Sequence, residues 1–429
     1  MVRLTCQVRA AVTAFAVAAV ALTPVAAAGD SSRSGFGEGG WTSVFEGTDA
    51  IAPQANGKIV LVDGDYGYLM RLLADGRVDR SFGKHGVVEH VLRPVRCESG
   101  ACLRTRVAVG GDGKIVIAQN GDRRSVLTRW LGDGRLDRTF GIGGTVNIVE
   151  SAQVSALAIA PKGAIVVVRT PRDPYRYRPL LDRFLANGKV DTRFGDGGRT
   201  RIALRQPVAV LVQPGGKIVV AGNYALLTPY RNNVLLARYR SDGSPDNSFG
   251  SNSIVRIEGF GVSAAAPGSN RSIVLAGGGA SRETPLIRET QVVRVLPDGQ
   301  LDRQFGGDGV VGHAYNAGLS GAPNAVAVLP QGAVVVAGLT QQGSDRSSGW
   351  LSAVAQPDGS WEHLPGPPGS CLAEDNPDYP KDVYAVATAL AVAKDGKVLI
   401  AGHSDCDWVV GRFTAAPDND PGPPLRLDT

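Results

Sequence analysis

Asp133–Gly144 reads DGRLDRTFGIGG, and the chain returns to it at even intervals. Asp75–Gly86 is DGRVDRSFGKHG, Asn187–Gly198 is NGKVDTRFGDGG, Asp242–Ser253 is DGSPDNSFGSNS and Asp298–Gly309 is DGQLDRQFGGDG. Their phenylalanines, Phe82, Phe140, Phe194, Phe249 and Phe305, stand 58, 54, 55 and 56 residues apart. A period this regular marks a repeat architecture before any single residue is interpreted.

Working outward from the motif, a strand-like segment precedes each copy and carries an arginine four residues before the Asp/Asn-Gly pair: Arg71, Arg129, Arg183, Arg238 and Arg294. The motif's second acid, Asp79, Asp137, Asp191, Asp246 or Asp302, follows that arginine by eight residues. Earlier in each unit, a short alternating segment runs into a two-residue turn such as Asp112-Gly113, where a tight hairpin demands positive φ. A β-branched run comes next, at Lys58–Leu61, Lys114–Ile117, Ala164–Val168, Lys217–Val220, Ser272–Leu275, Ala333–Val336 and Lys397–Ile400. A fourth strand follows the motif, as at Val87–Val91, Thr145–Ile148 and Thr200–Ile202. Four antiparallel strands per unit make the blade of a β-propeller, and no room is left for crossover helices.

The fold class expected is therefore all-β, a seven-bladed propeller of four-stranded antiparallel blades. The last unit, about 384–414, has three strands and no Phe-Gly turn. Gly35–Gly40, GFGEGG, supplies that turn and residues 40–45 supply a strand, so the ring should close by pairing the first strand with the last blade. Closure removes the open edges of an array. Blade six is degenerate, with Trp361 at the phenylalanine position and Leu364–Pro368 after it. The phenylalanines should plug the gaps between blades, Phe36 included. The arginine–aspartate pairs should brace turns rather than bind ligands, because a residue serving every blade alike is architecture first.

The combined pattern, a short strand, DGK-IVV-AG, a strand with arginine, then DG-x-x-D-x-x-FG-x-GG, resembles the bacterial delta-60 repeat, a relative of NHL-like propeller repeats. The resemblance covers about 35–414 and implies a propeller in exported proteins. It implies no settled activity and transfers no functional residue. Blade six and the turn Ser269-Asn270-Arg271 depart from the pattern.

Arg3 and Arg9, the apolar run Ala10–Leu22 and Ala26-Ala27-Ala28 make a cleavable signal peptide over 1–28. The expected product is secreted or periplasmic, since the apolar run is too short to span a bilayer and Cys6 precedes it. Losing the two arginines lowers the net charge from +5 to +3, too little to argue for nucleic acid or membrane insertion. A monomer is expected, with residues 29–414 as one propeller and 415–429 as a proline-rich, loosely draped tail. Four cysteines remain, and an even count in an exported chain reads as two disulfides: Cys371–Cys406, which the blade order places on one face, and Cys97–Cys102.

In such a blade the strand two–three loops and the strand four–one connections share one face. Here they are long and variable, at 169–179, 222–232, 277–290 and 338–348 and at 92–104 and 362–383. Binding resides on variable loops over a regular scaffold. Two places on that face stand out. Arg172, Tyr175, Arg176, Tyr177 and Arg178, with Tyr224, Tyr230 and Arg231, bring together the residue types of binding hot spots and suit sugars or acidic polymers. Glu374, Asp375, Asp378, Asp405 and Asp407, near His403, offer oxygens to a hard cation such as Ca²⁺, make a carboxylate/histidine catalytic cluster, or form a solvated acidic loop. No P-loop, G-x-S-x-G or H-E-x-x-H motif is present, and no histidine pair has ligand spacing in sequence. The function expected is a non-catalytic scaffold binding a protein or polysaccharide. The alternatives are a lyase- or hydrolase-like propeller with catalytic groups drawn from several blades, and a structural envelope component.

Overall fold

Each β-branched run is buried on both sides, and this places the strands. In Ile165–Pro171, Ile165 and Val167 pack with Val116, Ala118 and Phe140, whereas Val166 and Val168 pack with Ile218, Val220 and Leu235. A strand with apolar neighbours on both faces reads as an unbroken hydrophobic run. The computed structural model describes residues 35–44, 48–54, 56–63, 67–89, 105–121, 124–149, 152–171, 173, 177–225, 232–280, 288–314, 319–342, 348–367, 385–404, 407–415 and 425–428. Among them are seven antiparallel sheets, the blades of a propeller, six with their strands in sequence order and the seventh completed by strands from the two ends of the described chain. Blade one spans 48–88, blade two 106–149, blade three 152–201, blade four 206–258, blade five 260–314, blade six 319–363 and blade seven 385–415. The first strands of neighbouring blades approach one another around the axis.

Seven apolar clusters fill the seven junctions. Six join blades in numerical order, and the seventh packs Phe36, Ile59, Leu61 and Leu72 against Leu399, Ala401 and Val410 of blade seven. Bulges in the first strands add a polar lacing around the axis. The extra residue of one bulge bonds the backbone of the next first strand: Asn324 Nδ2 to the Ala387 carbonyl at 3.0 Å, and Thr388 Oγ1 to the Thr48 carbonyl at 2.6 Å.

The repeated motif is the latch between blades. Phe82, Phe140, Phe194, Phe249 and Phe305 are fully buried, each in the cluster shared with the following blade. The arginine lies over that ring, its guanidinium carbon 4.4–4.7 Å from the centroid, and pairs with the motif aspartate. Its Nη1 then reaches a carbonyl of the next blade: Arg71 to Gly132, Arg129 to Ala186, Arg183 to Ser241 and Arg238 to Pro297. The residue after each of those carbonyls accepts a second bond, from the glycine that follows the phenylalanine. Gly141 N–H donates to Asn187 O at 2.8 Å and Gly195 N–H to Asp242 O at 2.7 Å. The turn glycine is needed at this contact. Gly188 has φ of +83°, and a Cβ there would lie 2.9 Å from the Phe140 ring.

The latch of blade seven is assembled from distant parts of the chain. Trp41–Val44 pairs antiparallel with Asp407–Ala415, Trp41 opposite Gly411. Leu425–Leu427 pairs with the same strand further along, Phe413 opposite Leu427. Asp428 then takes the place of the motif aspartate. It meets Arg412 at 2.5 Å and Lys397 at 3.0 Å. Its carbonyl accepts Phe36 N–H at 2.8 Å, and Arg412 lies over the Phe36 ring. Residues 425–428 of the expected draped tail are thus a structured edge. Leu425 is buried and the arginine needs its counter-ion.

Three further expectations change. The hairpins have three-residue loops rather than two. Gly110 N–H bonds Lys114 O, Gly113 N–H bonds Gly110 O, and of Asp112 and Gly113 only the glycine has positive φ. The aspartate is there because its Oδ1 accepts Lys114 N–H at 3.1 Å. The gap between blades six and seven is filled by Leu364, with Trp41, Phe413 and Leu425. Trp361 faces blade five instead, because it pairs with Ala355 on a strand that follows the turn directly. The long segments expected at 222–232, 277–290 and 338–348 are partly strand, with pairing continued to Ala225, Ala280 and Gln342. Backbone pairing does not require the apolar side chains that end earlier.

Candidate functional site

The turn face is occupied by the latch. Burial alone would raise the pKa of Asp137. The hydrogen bonds from Thr139 Oγ1 at 2.6 Å and Thr139 N–H, with the Lys114 ammonium at 3.2 Å and the Arg129 charge, bring it down to about 2. Asp79 and Asp246 are held still further below the ordinary carboxylate range against the same burial. Lys58 and Lys217 donate to them, as do Ser81 and Ser248 and the neighbouring arginines. Carboxylates held so low are fixed charges, not proton shuttles at neutral pH.

On the loop face, blade three departs from its siblings. The fifth residue of the second strand is glycine in blades four to seven, at Gly222, Gly277, Gly338 and Gly402, and Arg169 in blade three. Arg169 stands opposite Leu180, and Leu180 opposite Arg201. Asp182 stands opposite Arg199. Cross-strand partners share a face of the sheet, so one row presents Arg169, Leu180 and Arg201 and the next presents Asp182 and Arg199. Arg169 is 2% exposed and its Nε lies 2.6 Å from Asp182 Oδ2. The buried pair supports the exposed arginines beside it.

Arg169, Leu180, Arg199 and Arg201 of these rows form one wall of a cleft of about 900 Å³. Tyr177 and Arg178 form another, and Ala152, Pro171, Asp196 and Thr200 complete the lining. Tyr177 is 55% exposed, and its N–H donates to Asp173 O at 3.1 Å. Arg178 Nη1 donates to Ala203 O at 2.8 Å, which ties the loop to the segment beyond the fourth strand. Four lining arginines around an exposed phenol suit an anionic ligand with a flat or ring-shaped body. Arginine meets carboxylate and sulfate with a planar fork, and the ring offers a stacking surface.

Of the residues singled out in sequence, Tyr177 and Arg178 line the cleft. Tyr224 does not: it is half-buried against the core between blades three and four. Arg172, Tyr175, Arg176, Tyr230 and Arg231 lie outside the described residues, as do Glu374, Asp375, Asp378, Asp405 and all four cysteines. Asp407 begins the strand Asp407–Ala415, and its side chain lies outside the description. Among the described residues no group of three or more His, Cys, Asp or Glu is placed to hold a metal, and no helix is long and apolar enough to cross a membrane. Arg169, Asp182, Arg199 and Arg201 escaped the sequence reading. Their signal was the arginine at the glycine position and the polar RTR of Arg199–Arg201. A second cavity, of about 850 Å³, lies at the turns of blades two, three and four, lined by Gly110, Lys114, Pro161 and Gln213. Its walls are the repeated hairpins.

The chain matches a family model described as "Domain of unknown function (DUF5122) beta-propeller" over residues 54–82 and 213–249, each segment running from a first hairpin to a latch phenylalanine. No curated protein matches it. Solved structures similar to it include virginiamycin B lyase from Staphylococcus aureus, with 10% identity over 87% of this chain and 97% of that one and a TM-score of 0.49. Others are Drosophila Semaphorin 1b, extracellular domains 1–2, at 10% over 86% of each chain and TM-score 0.44, and polysaccharide lyase Uly1, at 9% over 86% and 90% and TM-score 0.44.

Proposed function

We propose that the chain is an exported binding scaffold of delta-60-like repeats whose blade-three cleft takes an acidic polysaccharide. The observation that carries this reading is the cleft wall. Arg199 and Arg201 stand in register with the buried Arg169–Asp182 pair, facing Tyr177 and Arg178. A repeat scaffold has no structural use for this set, since the other blades hold together without it. Charged and stacking groups that converge on one cleft match the uronate or sulfate groups and flat sugar faces of an acidic glycan.

The test is titration calorimetry of the full chain with polygalacturonate, a sulfated glycan and neutral dextran. The acidic polymers should bind, less tightly as salt screens the exposed arginines, and dextran should not. Arg201→Ala should weaken binding about fivefold or more, the effect of losing roughly 1 kcal/mol at a contact. Equal affinity for dextran, or an unchanged Arg201→Ala, would sink the reading. Shortening of the polymer during incubation, seen by size exclusion, would turn it into an enzymatic one.

A further inference from the structure

The fourth strands of blades five and six, Val310–Ala314 and Trp361–His363, bring two of the chain's five histidines together. Val311 packs in the cluster shared with blade six, so His313, two residues on, points the same way. His363 stands opposite Ala353, which packs in that cluster from the other side. The imidazoles meet with Nε2 to Nε2 at 3.1 Å and their ring planes at 68°. The Trp361 indole lies tilted against His313, centroids 5.3 Å apart, and limits its rotation. His313 is half-buried and His363 is exposed.

At 3.1 Å the two nitrogens share one proton, Nε2–H of one ring donating to the lone pair of the other. If both rings carry their protons on Nδ1, two lone pairs converge on one point. Metal–imidazole bonds of about 2.0–2.1 Å to both nitrogens would then subtend about 100°, close to the tetrahedral angle. We propose that His313 and His363 form a two-imidazole site for a divalent transition metal, zinc first, with water completing the coordination. One ring passes its proton from Nε2 to Nδ1 through solvent, both rings stay neutral, and no net proton is released.

The place suits a cross-link. Blade six lacks the latch set toward blade seven, with Val354 at the arginine position and Glu362 at the aspartate position, and its junction with blade five is also incomplete. Arg294 of blade five keeps its ion pair with Asp302 at 2.7 Å but, among the described residues, makes no hydrogen bond to the blade-six turn. Gly306 N–H still donates to Pro357 O at 2.9 Å and Phe305 fills the gap, so a metal bridging the outer strands would add a second fastening at the rim of a junction that has lost one latch bond. Imidazole ligands select zinc, nickel and copper, whereas calcium and magnesium require oxygens.

The experiment is a thermal melt and a zinc chloride titration of the full chain, tag-free and dialysed against chelator. Zinc should raise the melting temperature by binding the folded state, and calcium chloride should leave it unchanged. Cobalt(II) should give the visible absorption of a low-coordinate site. His363→Ala, at an exposed position, should melt like the parent without metal and lose both the zinc shift and the cobalt spectrum. His313→Ala should lose them too. No shift in the parent, or a shift that survives both substitutions, would overturn the proposal. The cleft on blade three takes no part in this test, so glycan binding and zinc binding stand or fall separately.

Discussion

Asp79, Asp137, Asp191 and Asp246 are each surrounded by donors on two sides, and each has its pKa lowered against the cost of burial. In the unfolded chain the same group titrates near about 4. Between that value and the folded one the unfolded chain binds more protons. The stability these groups contribute is therefore fully present above about pH 4 and is lost as pH falls toward 2 and below. Thermal melts from pH 7 to pH 2 should show a flat region down to about pH 5 and a steep fall beneath 4. A midpoint already lost near pH 6 would mean that groups other than these govern acid unfolding. The buried ring beside each pair makes a separate prediction. Phe140→Ala empties a site with no exposure and should cost about 3–5 kcal/mol in denaturant unfolding. A loss under about 1 kcal/mol would mean that the ring is not the plug. These residues were legible in sequence because a repeat displays its structural positions several times. What the arginine does with its outer nitrogen was not. It bonds a backbone carbonyl of the next blade, and a carbonyl leaves no residue signature.

Within the elements, strand order and number followed from the alternation of hydrophobic runs and glycine turns, whereas loop detail did not. The aspartate of each turn looked like a carrier of positive φ, yet it accepts the amide two residues on, as Asp112 does from Lys114. Side-chain-to-backbone bonds of this kind and true positive-φ turns select the same dipeptide, so the sequence cannot separate them. The cleft was half legible. Tyr177 and Arg178 sit in a loop rich in their own kind, but Arg169 lies within a strand, where an arginine reads as an ordinary outward side chain. Its burial against Asp182 could be seen only with the register. That pair gives a prediction at this scale. Asp182→Ala leaves a buried guanidinium uncompensated and should cost about 3–5 kcal/mol, whereas the double variant Arg169→Met/Asp182→Leu should recover most of the loss. Melts of the three proteins decide it, and a harmless Asp182→Ala would show that solvent already reaches Arg169.

Across the molecule, the ring depends on the joining of residues that lie almost 400 positions apart. Leu427-Asp428-Thr429 followed by Gly35-Phe36-Gly37-Glu38-Gly39-Gly40-Trp41 reads LDTGFGEGGW, against LDRTFGIGGT for Leu136–Thr145. The interrupted copy is in register with an unbroken one. Phe36 N–H already bonds the Asp428 carbonyl at 2.8 Å, as Phe140 N–H bonds that of Asp137 at 3.1 Å. Gly37 N–H reaches Asp75 O at 3.0 Å as Gly141 N–H reaches Asn187 O. Two residues separate the aspartate from the phenylalanine in every intact copy, and Thr429 and Gly35 are two residues. A peptide bond from Thr429 to Gly35 should therefore fit without a linker. A circular permutant made this way, with residues 1–34 removed, Thr429 joined to Gly35 and new termini between residues 226 and 231, should keep the parent's far-UV circular dichroism. It should also melt in one transition within a few degrees of the parent. Deleting residues 425–429 from the parent removes the counter-ion of Arg412 and the buried Leu425 together and should lower the melting temperature clearly. If the deletion were silent, or the permutant failed to fold while the parent opened at the same place remained stable, closure would have to rest on the Trp41–Val44 pairing alone. The split latch would then be an ornament of the repeat rather than the bond that shuts the ring.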